Sequence, residues 1–221
     1  LGVSSAFMGK VGDDAFGRFL AATLAEAGVD VSPLAFSSEA RTALAFVSLR
    51  ADGEREFMFY RHPSADMLFA PGEVDVAAIQ RAKLLHFGSI SLIGEPARGA
   101  TWHAVDAARA AGCLISYDPN LRLPLWPNAD AAREGLLLGL KKANIVKLSE
   151  DESAFLTGID AVEKACQTLW HDDLRLMVVT RGRAGCVYYT PRFTGTVESF
   201  TVRAVDTTGA GDGFVAGLLQ G

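Results

Sequence analysis

The sequence predicts an α/β protein: a mostly parallel sheet with helices on both faces, accompanied by a small β-hairpin. Three observations carry this. From residue 74 onward, helix-like and strand-like runs alternate. The strand-like runs at 84–87, 114–117, 145–148 and 176–180 are apolar on both faces, as strands buried between helix layers must be. Two further runs, 42–49 and 56–60, are rich in aromatic, Val and Thr residues and flank the turn Ala51-Asp52-Gly53-Glu54.

Along the chain, residues 3–8 are a short strand candidate, and Gly9-Lys10-Val11-Gly12-Asp13-Asp14 reads as the turn after it. Asp13 or Asp14 caps the next helix, whose Phe16, Phe19, Leu20 and Leu24 share a face and which ends at Gly28. Capping accounts for these residues, and Gly9 and Gly12 lack the spacing of a dinucleotide-binding turn. The hairpin, about residues 40–62, reads as a flap over a cleft. Arg61 stands at its base, either as a solvated strand end or as a group that meets an anionic or hydroxylated ligand. Helices are expected at 76–83, 96–111, 129–142, 151–156 and 161–170. Pro96 suits an early helical position and Gly112 a C-cap. A last strand candidate, 199–205, runs into a glycine-rich turn and a final apolar helix.

The 221 residues suit a single domain, 1–221, with a sizeable core. A hydrophobic fraction of 49% with 21% charged residues is ordinary for a globular chain. The net charge of −5, with no basic stripe to offset it, argues against nucleic acid and against an anionic membrane surface, leaving small-molecule chemistry. Cys113, Cys166 and Cys186 are odd in number, far apart and without neighbouring histidines, so they read as reduced thiols and not as a disulfide frame or zinc site. No apolar run reaches the length of a membrane span, and the first residues lack the pattern of a signal peptide. Leu1-Gly2-Val3 looks like a helix end with its C-cap, and Gly221 falls one or two turns into another helix, so both ends read as cut.

Ligands of parallel sheets bind at the carboxyl ends of the strands, so the loops there carry the functional reading. They are Asp118-Pro119-Asn120-Leu121-Arg122, then Lys147-Leu148-Ser149-Glu150-Asp151-Glu152, then Thr180-Arg181-Gly182-Arg183-Ala184-Gly185, and last Asp206-Thr207-Thr208-Gly209-Ala210-Gly211-Asp212. In the last, Gly209 and Gly211 let the backbone approach a ligand, and the first N–H groups of the helix point at it with the positive dipole end behind them. Asp212 adds a carboxylate that the dipole keeps ionised, able to take a proton from a hydroxyl. The plainer account is a Gly-rich turn in which Asp212 satisfies first-turn N–H groups. Arg122 has the fork that suits a phosphate, or is an exposed loop residue. Glu152 either helps hold a hydrated Mg²⁺ or closes a Ser-x-x-Glu capping box with Ser149.

Phe7-Met8-Gly9-Lys10-Val11-Gly12-Asp13-Asp14-Ala15-Phe16-Gly17 and Asp206-Thr207-Thr208-Gly209-Ala210-Gly211-Asp212 resemble the paired signatures of the ribokinase-like, PfkB-type sugar kinases. Within that family the sequence is most similar to fructokinases of the plant type. Phe57-Met58-Phe59-Tyr60-Arg61-His62-Pro63-Ser64-Ala65-Asp66 carries this, as do Asp118 to Arg122 with Leu125-Trp126-Pro127, Phe155-Leu156-Thr157-Gly158 and Gly185-Cys186-Val187-Tyr188-Tyr189-Thr190. The resemblance implies a ribokinase-like fold whose hairpin is the family's lid, often paired with a second subunit's lid in a homodimer. It implies ATP-dependent phosphorylation of a primary hydroxyl, fructose to fructose 6-phosphate, in the cytoplasm, with a plastid signal upstream left open. Asp212 is then the base; Gly209, Ala210 and Gly211 form the anion hole; Arg122 contacts the transferring phosphate. Arg61, Asp118 and Asn120 are the candidate sugar contacts. Lys147, Ser149 and Glu152 lie along the triphosphate and the Mg²⁺ water shell, and Thr180, Gly182 and Gly185 line the nucleotide side. Asp206 and Thr208 fall where some members hold a monovalent cation such as K⁺.

The sequence also departs from that pattern. Family members begin with a strand and a Gly-Gly-x-x-Asn-type segment that holds much of the sugar site, and they continue into helices flanking adenine. Ser149 stands where many have Asn, and Arg181 replaces an aliphatic residue. A 2-keto-3-deoxygluconate kinase, or another sugar or nucleoside kinase, is the alternative within the family. A fructokinase-like regulatory or assembly subunit without catalysis is the alternative of another class. Its mark would be damage at the Gly-Ala-Gly-Asp turn, which is intact here.

Overall fold

The computed structural model describes residues 2–49, 55–202 and 206–221. These form two compact units, the first built from residues 4–78 and 94–104 and the second chiefly from 79–93 and 105–221.

In the first unit, β1 (Gly9–Gly12) pairs in parallel with β2 (Leu34–Ser37), Gly9 opposite Leu34. The expected strand at 3–8 supplies only an isolated bridge, Ala6 to Asp30, and the segment expected as a turn is the strand. Its glycines serve close packing instead of a bend. A Cβ on Gly12 would stand 2.6 Å from the Thr42 amide nitrogen, and one on Gly17 would collide with the Gly12 carbonyl oxygen. Helix α1 (Ala15–Glu26) therefore docks through Gly17, its one buried residue, while Phe16, Phe19 and Leu20 stay exposed.

Asp14 caps α1, as the sequence predicts. Its carboxylate accepts from Gly17 N, Thr42 N and Thr42 Oγ1, each at 2.9 Å. These donors, led by the Thr42 amide, lower its pKa to about 2. The hairpin forms as expected: β3 (Leu44–Leu49) runs antiparallel to β4 (Arg55–Tyr60), with Phe46 edge-on to Tyr60. The predicted turn at 51–54 lies outside the described residues.

Helices α2 (Val76–Arg81) and α3 (Ala97–Ala110) contribute residues to both units. The second unit is a six-stranded sheet in the order β10-β9-β8-β7-β6-β5. β5 (Leu84–Gly88), β6 (Leu114–Asp118), β7 (Ile145–Ser149) and β8 (Leu176–Thr180) are parallel. β9 (Cys186–Tyr189) and β10 (Thr194–Val197) form an antiparallel hairpin that the sequence reading lacked. Four helices belong here: α4 (Ala129–Leu140), capped by Asn128, α5 (Glu150–Thr157), α6 (Val162–Leu169) and α7 (Ala210–Gln220).

Ile115, Val146, Leu148, Met177 and Val179 are closed to solvent, as are Leu136 of α4 and Ala165 of α6. Each large aliphatic side chain buried this way contributes about 1.5–3 kcal/mol. Gly139, inside α4, leaves room for the Tyr117 ring, which a Cβ there would meet at 2.5 Å.

The strand expected at 199–205 does not form over its described part, 199–202. The chain leaving β10 turns instead across the β8–β9 connection, where Ser199 Oγ donates to the Arg183 carbonyl at 2.6 Å. Phe200 and Val202 are left outside, 91% and 73% exposed; residues 203–205 lie outside the described set. Among the described residues no helix is long and apolar enough to cross a membrane.

Candidate active site

Strand register builds a polar row across one face of the second unit's sheet. His86 stands opposite Ser116, Gly88 opposite Asp118, Tyr117 opposite Val146, and Ser149 opposite Thr180. Successive residues of a strand point to opposite faces, so His86, Ser116, Asp118, Lys147, Ser149 and Thr180 share one. At the carboxyl ends of the strands this face is polar, although its deeper positions are apolar.

Asp118 and Lys147 form an ion pair at 3.1 Å, with side chains only 6% and 10% exposed. Burial pushes the Asp118 carboxyl above the usual range, acting against Lys147 and the Asn120 N–H, which favour the charged form. Asn120 sits in the left-handed region, φ 47°, and its N–H donates to Asp118 Oδ1 at 3.1 Å.

Helix α7 begins over the same row. Gly209 caps it at φ 74°, and the turn before it is closed by Thr208 N donating to Asp206 Oδ1 at 2.7 Å. A Cβ on Gly211 would lie 3.4 Å from Lys147 Nζ. An ammonium thus sits against the amide end of a helix, and both favour an anion there. Asp212 lies exposed in the first turn of α7, and its charge bears on His86.

Ser149 and Glu152 form the predicted capping box: Ser149 Oγ accepts from Glu152 N at 3.1 Å, and Glu152 Oε2 from Ser149 N at 2.7 Å. Glu152 Oε1 also accepts from Leu121 N at 2.8 Å, which ties the loop after β6 to the start of α5. Both carboxylate oxygens are thus engaged and each keeps a lone pair, which suits a metal-bound water and not direct ligation. Among the described residues no cluster of three or more His, Cys, Asp or Glu could itself hold a metal ion. Arg122, its Nη1 on the Leu121 carbonyl at 3.2 Å, joins Asn120, Lys147, Ser149, Asp151 and Phe155 around a cavity of about 520 Å³. Thr180 Oγ1 donates to the Leu148 carbonyl at 3.3 Å, and Gly182 and Gly185 close the following turn at φ 53° and 80°.

The structure therefore gathers every predicted site residue except Arg61 into the second unit. Arg61 belongs to the unit of the hairpin, where its Nε lies 2.8 Å from Asp66 Oδ2. Sequence reasoning passed over His86, Asp151 and Phe155. The His86–Ser116 relation was available only through the register of β5 on β6.

A family model described as pfkB family carbohydrate kinase matches residues 1–221. The chain is 57% identical over 220 residues to Fructokinase-2 of Zea mays, covering 99% of this chain and 66% of that relative. It spans about two thirds of the length of the curated relatives it matches. A fructokinase from Xylella fastidiosa with bound ATP superposes at a TM-score of 0.92 with 39% identity, over 99% of this chain and 68% of that one. A doubly mutated fructokinase from Vibrio cholerae O395, holding fructose, ADP and a potassium ion, gives 0.89 and 38% over 97% and 69%. The architecture is ribokinase-like, as expected. With the paired signature stretches and the whole matched length in agreement, the chain belongs to the pfkB family of carbohydrate kinases.

Proposed function

We propose that this chain carries the catalytic part of a fructokinase, which moves the γ-phosphoryl group of ATP to a primary hydroxyl of fructose and yields fructose 6-phosphate. The observation that carries the reading is Lys147 lying against the glycine-rich start of α7, with Asp212 in the first turn. An anion cradle and a carboxylate base side by side are what phosphoryl transfer to an alcohol requires, since that reaction depends on positioning and charge stabilisation.

Asp212 takes the proton of the sugar hydroxyl, a role worth roughly 10²–10⁴-fold in rate. The N–H groups at Gly209, Ala210 and Gly211 stabilise the charge on the transferring group, with Arg122 opposite. Lys147 and Ser149 lie along the triphosphate, and Thr180, Gly182 and Gly185 border the nucleotide. Glu152 would hold Mg²⁺ through a water, and the ion would supply charge neutralisation at the phosphates. Asp206 and Thr208 border a monovalent cation, a reading supported by the potassium ion of the Vibrio cholerae fructokinase.

Asp118 and Asn120 face the sugar. Arg61 is neutralised by Asp66, which disfavours an acidic keto-sugar and supports fructose. Exposed Phe46, Met58 and Tyr60 on the hairpin support its pairing with a second copy.

The test is ADP release by the intact protein with fructose, glucose, 2-keto-3-deoxygluconate and ribose, for wild type and Asp212→Asn. Fructose-dependent release that falls about 10²–10⁴-fold in the variant, with ATP binding retained, is expected. Preference for the acidic keto-sugar, or undiminished turnover in the variant, overturns the reading.

A further inference from the structure

We propose that Asp118 and the terminal phosphate of ATP compete for one ammonium: Asp118 holds Lys147 before the nucleotide arrives, and the incoming anion draws it to the amide end of α7. The inference deepens the reading of this site as a kinase centre and rests on it. The observation that carries it is where Lys147 lies. Its Nζ is 3.1 Å from Asp118 Oδ2 on β6, and a Cβ on Gly211, in the first turn of α7, would lie 3.4 Å from the same atom. One cation thus stands between a carboxylate and a helix end that favours an anion. Both side chains of the pair are nearly closed to solvent, so little water screens the choice between the two.

Lys147 also lines the cavity shared by Asn120, Arg122 and Ser149, so its side chain borders the space an anion would enter. An ammonium carries three N–H donors, and a phosphate can take them without any change in β7. Asp118 is less free to follow, because its Oδ1 accepts from Asn120 N at 3.1 Å. The other charged or titratable groups around the pair are Glu152 from α5, Tyr117 on β6, His86 from β5 and Asp212 at the start of α7. Of these, Glu152 acts on Asp118 as a like charge. Left beside an arriving anion without its ammonium, the buried Asp118 carboxylate takes a proton from solvent. Its charge is therefore a brake on anion affinity. Removing that charge tightens nucleotide binding, which is opposite in sign to the loss of a merely structural contact.

Two measurements on the intact protein test this, both with the non-hydrolysable β,γ-imido analogue of ATP and Mg²⁺, without sugar. The first is Kd for wild type and Asp118→Asn, which keeps an oxygen for the Asn120 N–H, at pH 8 and pH 6. The variant is expected to bind about three- to tenfold tighter at pH 8. The gap should narrow at pH 6, where protonation of Asp118 on binding does in wild type what the substitution does in the variant. Equal or weaker binding by the variant at pH 8, or a gap that widens on acidification, overturns the proposal. The second is the crystal structure of the wild-type complex, which decides the matter even if Asp118→Asn does not fold. Lys147 Nζ is expected within hydrogen-bond reach of a phosphate oxygen and away from Asp118. A Lys147 that keeps the Asp118 pair, or that contacts no phosphate, overturns the proposal. A protein that binds no such nucleotide sinks the kinase reading and this inference with it, whereas nucleotide binding without the gap sinks this inference alone.

Discussion

Lys147 Nζ lies 3.1 Å from Asp118 Oδ2, between two strands and nearly closed to solvent. Burial raises the Asp118 pKa in spite of Lys147, so the pair is held at a net cost by the surrounding fold. Removing one partner strands the other. Lys147→Met is expected to cost about 3–5 kcal/mol in urea unfolding at pH 7. The double variant Asp118→Leu, Lys147→Met should lose distinctly less, because no charge is left buried. The sign with pH follows. Without Lys147 the Asp118 carboxyl rises further, so it protonates readily in the folded state and the penalty of Lys147→Met shrinks as pH falls. A penalty that grows on acidification would mean that Asp118 is not the group left unpaired.

Gly209 and Gly211 are required for different reasons, and substitution separates them. Gly209 has φ 74°, where an L side chain is strained, so Gly209→Ala should cost about 1–2 kcal/mol. At Gly211 a methyl would meet only Lys147 Nζ, at 3.4 Å, an ordinary contact distance, and helical alanine is favourable, so Gly211→Ala should stay within about 0.5 kcal/mol. Turnover should nevertheless fall in both, since the Gly211 methyl stands where an anion approaches the helix amides. Calorimetry alongside rate measurement checks this; a Gly211→Ala protein with full activity would remove that amide end from the site.

Asp14 gives the first unit an acid-sensitive joint. Its carboxylate holds the start of α1 to Thr42, and its pKa is lowered to about 2 from the ordinary 3.8. A depressed acid contributes stability that is fully present above the unfolded value and is lost as pH falls from 3.8 toward 2. Asp14→Ala should cost about 1–2 kcal/mol at pH 7 and progressively less below pH 4. Parallel melting curves for wild type and variant at pH 7 and pH 3 measure the difference; a constant gap between them contradicts it.

What the sequence disclosed divides along physical lines. β8 and the capped starts of α1 and α5 were legible because apolar runs and capping residues are local signals. β1 was not, because Gly9 and Gly12 look like a turn until Leu34 is paired beside Gly9 and Thr42, 30 residues beyond Gly12, is packed against Gly12. Residues 199–202 have strand propensity, yet Ser199 finds its acceptor in the Arg183 carbonyl and the chain leaves the ladder. At the site, the rule that ligands gather at strand carboxyl ends located the loops. The Asp118–Lys147 pair and the His86–Ser116 bond depend on register between strands about 30 residues apart, which no local pattern encodes. Arg61 looked available for a ligand because its partner, Asp66, lies across a turn.

Glu152 joins two accounts that the sequence alone kept apart. Its two oxygens accept from Ser149 N and Leu121 N, so it caps α5 and pins the loop that carries Asn120 and Arg122. Glu152→Gln offers one acceptor where two are used and turns an amide NH₂ toward the other N–H. The loss should be about 1–3 kcal/mol in unfolding, with weaker ATP binding as the loop carrying Arg122 loosens. A capping role predicts only these. A carboxylate that also receives a metal-bound water predicts, in addition, a higher Mg²⁺ concentration for half-maximal rate at saturating ATP. We expect that increase, because the lone pairs left on Glu152 border the same cavity as Lys147 and Ser149. An unchanged Mg²⁺ requirement in a destabilised variant would reduce Glu152 to the cap alone.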